Sequence, residues 1–334
     1  MEKVNFEKVK RVSIEKEFAL LDKDRKPISR LATDSFIRKL EAMKDRIENL
    51  SEIDTETAVN AVEMKFSLIA PQKVRPTLLS ARKAVSELAE KEGLVPRWAN
   101  QDPCFTEEYN GCFITYTFPE LINGFIFTNS THLHFEIEPS DVIHAYNQMN
   151  CLVPWFMANS REGIGYDLFE ATRKRVDFME ELYLPQRFGS DEDYQAFILK
   201  GSKFIEKRLR RMGGWENISD MSSFDKKTLC LLPKGVYHQA RIRKDLVLPN
   251  GNVSLELRAI AGIEDPMKEI ILIHAAICAF EEALKRPEEI NQLDKVRSFY
   301  ETFDTGNGAY TPAREFIHYA YLKNMGRPIP PMGN

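Results

Sequence analysis

Four segments of this chain alternate apolar residues with charged ones. In VEMKFSLI, Val62, Met64 and Phe66 occupy one set of alternate positions, and Glu63 and Lys65 occupy the other. Side chains two residues apart in a β-strand point to the same face, so each segment is predicted to form a strand with one apolar and one charged face. The charged positions of the four segments are Glu15 and Glu17, Glu63 and Lys65, His132, His134, Glu136 and Glu138, and Glu256 and Arg258.

The alternation indicates an antiparallel sheet, because strands of a parallel sheet are buried on both faces and are apolar throughout. Helices would then cover the apolar face, and the polar face would be left open for a ligand. The predicted fold class is therefore α+β. The predicted strands and shorter extended pieces are residues 11–21, 57–69, 94–100, 112–118, 128–138, 236–243 and 252–261.

The remaining segments repeat apolar residues at helical spacing and are predicted to be helices. We expect one catalytic domain over residues 1–334, with a mostly helical subregion at about 140–213 and C-terminal helices at about 265–324. Thr33 or Asp34 is the predicted cap of the first helix, and Gly93 is expected to end the second. The predicted helices are 34–50, 74–92, 139–150, 191–212, 265–284, 288–300 and 311–324.

Composition excludes some classes of partner. The chain has 334 residues and a formal net charge of −4, which does not favour a nucleic-acid footprint or a polybasic membrane surface. No apolar run approaches the ~18 residues of a membrane-spanning helix, and the charged N-terminus does not resemble a secretory signal. The five cysteines are not spaced as a zinc or redox pair and are expected to be reduced thiols. We therefore expect a cytoplasmic protein.

The charged face has the chemistry of a cation site that handles phosphate. Glu15 and Glu17 lie roughly 6.5–7 Å apart along their strand, a spacing that suits carboxylates reaching two cations. Magnesium takes oxygen ligands and keeps substrate phosphates in its shell, and the nitrogen of His132 or His134 is accepted more readily by manganese. Arg258 would add a fork that binds phosphate or carboxylate oxygens.

Each pair alone has a simpler interpretation. A lone E-x-E is more often a solvated sheet face, and Lys65 beside Glu63 could form an exposed ion pair of little energetic value. The basic residues of 191–212 are most simply a solvated helix face. Four such pairs, each opposite an apolar face, favour a metal site. No P-loop, G-x-S-x-G or G-x-G-x-x-G motif is present.

In order along residues 12–262, the motifs resemble those of glutamate–cysteine ligases and related carboxylate–amine ligases. SIEKEFALLD resembles the first strand of that family, of the form G-x-E-x-E, although Ser13 replaces the glycine. The stretch from Glu56 to Glu63 is similar to the second motif, and THLHF to the H-V-H-V strand. The segment from Pro154 to Arg173 resembles P-F-W…G-Y…R, with Gly165-Tyr166 as its central pair. YHQARIR and VSLELRAI resemble the closing pair of motifs.

The resemblance implies a glutamine-synthetase-like sheet, curved, with ATP and Mg²⁺ or Mn²⁺ on its concave face. It implies that ATP phosphorylates a carboxylate, typically that of glutamate, and that an amine attacks the acyl phosphate to form an amide. The expected partners are thus a glutamate-like carboxylate and a small amine; a homo-oligomer is left open. Carried over by motif, the metal ligands are Glu15, Glu17, Glu63, His134 and Glu256; Glu63, Lys65, His132 and Arg173 contact the nucleotide; and Arg241, Arg243 and Arg258 are catalytic.

Two other functions compatible with these motifs remain. One is a phosphotransferase of the same fold that uses ATP without ligation. The other is a catalytically inactive relative that binds nucleotide or a partner protein. Departures from the family motifs motivate the inactive relative. One of them is Lys65, on the charged face beside Glu63, where an ammonium could pair with a substrate carboxylate or repel a cation.

Overall fold

The computed structural model describes residues 6–56, 58, 60–100, 129–161, 168–213, 238–248, 250–289, 293–303 and 310–327. In these residues one seven-stranded sheet has the order β2-β3-β1-β5-β7-β6, and β4 pairs with β1 beyond the end of β5. Every pairing is antiparallel, which confirms the predicted fold class. The strands are β1 Val12–Leu21, β2 Leu50–Thr55, β3 Ala61–Phe66, β4 Val95–Arg97, β5 Ser130–Ile137, β6 Ala240–Val247 and β7 Val253–Ala261.

Helices pack against one face of the sheet. The α3 and α6 helices lie over its centre, where the Phe135 ring of β5 lies 4.6 Å from that of Phe280 in α6. The apolar positions of the alternating strands, such as Leu133 and Leu257, are buried in this layer as predicted. The α-helices of the described residues are α1 Arg30–Glu41, α2 Val74–Glu92, α3 Val142–Asn159, α4 Leu168–Met179, α5 Asp191–Gly213, α6 Pro266–Ala283, α7 Leu293–Thr302 and α8 Tyr310–Asn324.

The first predicted helix is wrong at both ends. Ser29, not Thr33 or Asp34, caps α1 by accepting a hydrogen bond from the amide of Ala32, and the helix ends at Glu41. A short 3-10 turn follows, and Asn49 at φ +60° leads into β2. Met43 and Ile47 continue the apolar spacing of α1 past its end. The predicted helix therefore extended to residue 50, and the strand β2 was not predicted.

Other boundaries differ less. The α3 helix continues to Asn159, past the predicted end at 150, and contains Pro154 within it. Gly93 ends α2 at φ +69°, as predicted, and Gly251 at φ +81° turns the chain between β6 and β7. Cys151 and Cys278 are free thiols in the core, while the other three cysteines and the piece at 112–118 lie outside the described residues. No helix among the described residues has the length and apolar content needed to cross a bilayer.

Candidate active site

Backbone pairing brings the charged positions of β1, β3 and β5 side by side. Glu17 of β1 lies opposite Glu63 of β3, and Glu15 lies opposite Lys65. On the other side of β1, Glu15 is paired with His132 of β5. Directly opposed residues in an antiparallel sheet point to the same face, so these five side chains converge.

The same face continues across β7 and β6. His134 of β5 is paired with Glu256 of β7, which in turn is paired with Arg241 of β6. Arg258, two positions after Glu256, donates to its carboxylate at 2.6 Å. Apart from Glu138, which follows the end of β5, the charged residues of the four alternating segments therefore lie on one face of one sheet.

Glu15 lies between the two histidines. Its Oε2 is 3.1 Å from Nδ1 of His132, and its Oε1 is 3.2 Å from Nε2 of His134. Burial opposes ionisation of Glu15, but the contacts with both imidazoles outweigh it and hold the pKa of Glu15 below its usual value. Burial, with the nearby charge of Arg258, lowers the pKa of His132 to about 4, so this imidazole is neutral at pH 7. A neutral imidazole is the form that binds metal.

Glu17 is a buried carboxylate held by Ser130. The backbone N–H of Ser130 donates to its Oε2 at 2.7 Å, and the Ser130 hydroxyl donates to the same oxygen at 2.6 Å. The hydroxyl also lies 2.8 Å from Nε2 of His132. Burial and the negative charge of Glu56 nevertheless raise the pKa of Glu17 to about 8.

More carboxylates lie near Glu63 than near Glu17. Burial and the carboxylates of Glu56, Glu15 and Glu17 raise its pKa to about 9. Glu56 follows the end of β2. The sequence predicts no role for it, although it stands in the motif that also contains Glu63. A pKa raised by like charges marks a place where a cation would relieve the repulsion.

Glu256 is the most deeply buried carboxylate of the face, with no exposed surface. Its oxygens accept from Arg241 at 2.5 Å, Arg258 at 2.6 Å and Arg243 at 3.4 Å. Burial opposes ionisation, but Arg258 and Arg241 outweigh it and hold the pKa of Glu256 below its usual value. The three arginines predicted to be catalytic are thus fixed around one carboxylate that is itself a predicted metal ligand.

The residues present fit a divalent cation in three overlapping places. In each group the ligand atoms lie within 4.8 Å of one another. His134, whose Nε2 lies 3.2 Å from Glu15, belongs to one of these groups. An imidazole nitrogen among carboxylates is a suitable ligand for a divalent cation. The three groups are Glu15, His134 and Glu256; Glu15, Glu63 and His132; and Glu17, Glu56 and Glu63.

Lys65 lies at the margin of this cluster. Its Nζ is 3.2 Å from Glu63, 3.1 Å from Glu52 and 3.9 Å from Asp54, and the side chain is 29% exposed. The carboxylates of Glu63 and Glu52 outweigh partial burial and raise its pKa, so the ammonium stays charged. Lys65 therefore balances part of the negative charge on the side of β3 next to β2.

Arg173 and Glu136, also named from the sequence, have other contacts in the structure. Arg173 lies on the exposed side of α4 with its guanidinium 5.3 Å from the ring centre of Phe303, and its assignment to the nucleotide stays a prediction. Gly165 and Tyr166 lie outside the described residues. At the end of β5, Glu136 accepts two hydrogen bonds from Arg11, at 2.6 and 2.7 Å, so its charge is matched there rather than at the cluster.

Comparison with known proteins gives no family assignment. No protein-family model matches the chain, and no curated protein matches it. Solved structures with some likeness include apo GmaS, at 14% identity over 95% of this chain and 65% of that one, with a TM-score of 0.44. A glutamine synthase homolog matches at 12% identity over 95% and 66%, with a TM-score of 0.45. A bifunctional glutathione synthetase from Pasteurella multocida matches at 12% over 96% and 46%, with a TM-score of 0.47.

The chain spans less than two thirds of the length of each of these three structures. These likenesses are distant.

Proposed function

We propose that this protein is an ATP- and divalent-cation-dependent ligase that joins a carboxylate to an amine through an acyl phosphate. The observation that carries the proposal is the convergence, on one sheet face, of three overlapping cation-binding groups and three arginines fixed around Glu256. The order of the sequence motifs, which resembles that of carboxylate–amine ligases, supports the same reaction. Phosphoryl transfer needs this combination, because negative charge spreads over the transferred oxygens.

The proposed cations would be held by the carboxylates and imidazoles of the three groups. When bound, Mg²⁺ or Mn²⁺ supplies charge neutralisation for the phosphates of ATP. The raised pKa values of Glu17 and Glu63, about 8 and about 9, fit this role, because crowded carboxylates are the ones that a cation stabilises most. The neutral state of His132 fits it as well.

The arginines orient the reacting groups. Two hydrogen bonds to Glu256, from Arg241 and Arg258, fix the direction of each guanidinium before a substrate arrives. Preorganised donors of this kind stabilise an oxyanion without reorganising during the reaction. Arg258 and Arg241 would therefore bind the oxygens of the phosphoryl group and of the tetrahedral species formed by amine attack.

Burial protects the proposed intermediate. His132, His134 and Glu256 are each less than 5% exposed. Water can also hydrolyse an acyl phosphate, so a site that excludes water favours amide formation. By the motif resemblance, the donor is proposed to be glutamate and the product a γ-glutamyl amide of a small amine.

The test is a mass-spectrometric screen with ATP, Mg²⁺, glutamate and pooled amines, together with assays of ADP and phosphate. We expect a new amide mass, with ADP and phosphate release that depends on both the carboxylate and the amine. Release of AMP and pyrophosphate would overturn the proposal. Turnover with one substrate and no amine would indicate the phosphotransferase, and cation-dependent ATP binding without any product would indicate the inactive relative.

Two variants connect the activity with the site. Glu17→Gln and Glu256→Gln are each expected to abolish turnover. Glu52→Gln is the matched control, because Glu52 is a glutamate of the same sheet that lies 58% exposed outside the cation-binding groups. Wild-type rates in both site variants would remove these carboxylates from the reaction.

A further inference from the structure

Ser130, the first residue of β5, contacts two residues of the charged face through one hydroxyl group. Its oxygen lies 2.6 Å from Oε2 of Glu17 and 2.8 Å from Nε2 of His132. Glu17 and His132 belong to different cation-binding groups, and Ser130 belongs to none of them. One neutral side chain therefore connects two predicted ligand sets.

The sheet builds this contact. Ser130 and His132 lie two residues apart on β5, so their side chains point to the same face. Glu17 follows Lys16, which is paired with Thr131, and this places Glu17 beside Ser130. The backbone N–H of Ser130 also donates to Oε2 of Glu17 at 2.7 Å. The side chains that meet here are buried, so the sheet rather than solvent determines their geometry.

The hydroxyl has a single hydrogen, and its direction decides what Ser130 does for His132. Two oxygen atoms 2.6 Å apart need a hydrogen between them. When Glu17 is a cation ligand it is ionised and can only accept, so the Ser130 hydroxyl must donate to it. Toward the imidazole the same hydroxyl can then only accept, which requires that Nε2 of His132 carries the ring hydrogen. Nδ1 of His132 is thereby left with its lone pair.

That lone pair points to carboxylates. Nδ1 of His132 lies 3.1 Å from Oε2 of Glu15 and 3.7 Å from Oε1 of Glu256. An unprotonated nitrogen and two carboxylate oxygens at these distances repel one another unless a cation lies among them. The hydrogen-bond direction that Ser130 imposes therefore prepares this place for a cation.

The second histidine is held in a different way. Nδ1 of His134 lies 3.1 Å from the hydroxyl of Ser254, and Nε2 of His134 lies 3.2 Å from Oε1 of Glu15. The two imidazoles thus approach Glu15 with opposite nitrogens. Among the described residues, no carboxylate contacts the Ser254 hydroxyl, so that hydroxyl is able to donate or accept. Only Ser130 has a second contact that fixes the direction of its hydrogen.

We propose that Ser130 is a positioning residue of the cation site. With a divalent cation bound, its hydroxyl donates to Glu17 and accepts from Nε2 of His132, which makes Nδ1 of His132 the nitrogen that binds the cation. The inference rests on the proposed function, because it deepens the cation binding that the ligase requires. Hydrogen-bond partners of metal ligands typically contribute about 10- to 100-fold to metal affinity.

The first experiment measures the affinity of the full chain for Mn²⁺ by electron paramagnetic resonance. Ser130→Ala removes the hydroxyl but keeps the backbone N–H that donates to Glu17, and we expect binding to weaken by about tenfold or more. Ser130→Thr restores a hydroxyl and should restore most of the affinity. Ser13→Ala is the matched control, because Ser13 lies on the same face and its hydroxyl donates to the carbonyl oxygen of Phe66 at 2.6 Å.

Three results of this experiment would overturn the proposal. One is wild-type affinity in Ser130→Ala, and another is an equal loss in Ser130→Ala and Ser13→Ala. The third is a Ser130→Thr protein that binds as weakly as Ser130→Ala, because the hydroxyl would then not be the source of the affinity.

A double-mutant cycle tests whether Ser130 acts through His132. We expect Ser130→Ala to cost clearly less affinity in a His132→Ala protein than in the wild type, because residues of one hydrogen-bond network have non-additive effects. Additive losses would show that Ser130 affects cation binding by another route, and would overturn its role in positioning the imidazole.

Pulsed electron paramagnetic resonance of bound Mn²⁺ identifies the nitrogen. The chain is labelled with histidine that carries ¹⁵N at Nδ1, since a nitrogen bound to Mn²⁺ has a larger hyperfine coupling than the remote ring nitrogen. We expect the larger coupling in the wild type. It should disappear in His132→Ala and persist in His134→Ala, because His134 presents Nε2 to Glu15. A wild-type spectrum with only the coupling of a remote nitrogen would overturn the proposal.

These outcomes are separate from the ligation screen. Amide formation by a protein whose Mn²⁺ has no bound Nδ1 would leave the ligase and overturn the role of Ser130. In the opposite case, a bound Nδ1 and an affinity that depends on Ser130, with no amide in the screen, would overturn the ligase and leave a cation site oriented by Ser130.

Discussion

The Nζ atom of Lys16 lies 2.8 Å from Oε1 of Glu269, and both side chains are buried between the sheet and the helices. Arg82 of α2 approaches the other carboxylate oxygen at 2.7 Å, and the hydroxyl of Thr131 donates to Oε1 at 2.6 Å. Burial opposes ionisation of Glu269, but Lys16 and Arg82 outweigh it and hold its pKa below the usual value.

This ion triad lies directly behind the candidate site. Lys16 stands between Glu15 and Glu17, so its side chain leaves β1 on the opposite face from theirs. The contacts of Lys16 and Arg82 with Glu269 join β1 and α2 to the start of α6. The strand that carries both carboxylates is thereby fixed by a buried ionic contact on its far side.

Replacing Lys16 should therefore destabilise the protein strongly. Lys16→Met leaves Glu269 without one of its two cations, and removal of one partner of a buried pair costs about 3–5 kcal/mol. Lys8→Met is the matched control, because Lys8 lies 3.8 Å from Asp141 in an exposed pair that contributes at most about 1 kcal/mol. Urea unfolding of both variants measures the difference, and equal losses would contradict a structural role for the triad.

Replacing Glu63 should weaken cation binding. Glu63 belongs to two of the three cation-binding groups, so Glu63→Gln removes an oxygen donor from both. We expect the affinity for Mn²⁺, followed by electron paramagnetic resonance, to fall by about tenfold or more. Mn²⁺ should also raise the melting temperature of the variant less than that of the wild type, because stabilisation by a ligand depends on its affinity. The control variant Asp54→Asn should keep the wild-type affinity for Mn²⁺. If Glu63→Gln also keeps it, the Glu63 carboxylate is not a ligand.

Lys65 gives the opposite prediction. Its ammonium lies 3.2 Å from the Glu63 carboxylate and competes with a cation for the same negative charge. Lys65→Met is expected to tighten Mn²⁺ binding by roughly threefold, the scale of a partly exposed ion pair. Unchanged Mn²⁺ affinity together with a raised KM for the carboxylate substrate would instead show that Lys65 binds substrate.

Gly262 is expected to tolerate no side chain. A Cβ atom at this position would overlap the backbone carbonyl oxygens of Trp98, just after β4, and Asn129, just before β5. Gly262→Ala should therefore lower the free energy of unfolding by about 2 kcal/mol or more. Gly189→Ala is the control, since the nearest atom would be 3.7 Å away and the change should stay within about 0.5 kcal/mol. Thermal unfolding that fails to separate the two variants would refute the close approach.

His238 should make the protein sensitive to acid. Burial lowers its pKa to about 4, although Nε2 donates to the carbonyl oxygen of Leu182 at 3.1 Å. In the unfolded chain the pKa is about 6.5, so between pH 6.5 and 4 the unfolded state binds a proton that the folded state does not. The folded state therefore loses up to about 3 kcal/mol as the pH falls through this range.

The comparison that isolates His238 is between two variants. His238→Gln should lose less stability than the wild type between pH 6.5 and 4, measured by denaturant unfolding at each pH. His318→Gln, on an exposed position of α8, should follow the wild-type curve. Parallel curves for all three proteins would show that His238 is not the source of the acid sensitivity.

Sequence patterning predicted which side chains converge, because these residues lie in alternating strands. Glu15, Glu17, Glu63, His134 and Glu256 each follow a period of two against buried apolar neighbours, and their convergence needed only that the strands share a sheet. The two-residue period places Lys16 on the apolar face, but it gives no sign of the buried partner Glu269. It also gave no role to Glu56, which lies after the end of β2 and outside any alternating segment.

The sequence by itself determined which side chains share a face within each strand, since the two-residue period is a property of the extended backbone. Only the tertiary structure decided which strands are neighbours and in what register they pair. That choice places Glu17 opposite Glu63 and His134 opposite Glu256, and a shift of one residue would have turned either partner to the core. Register depends on packing between segments far apart in the chain, which no local pattern specifies.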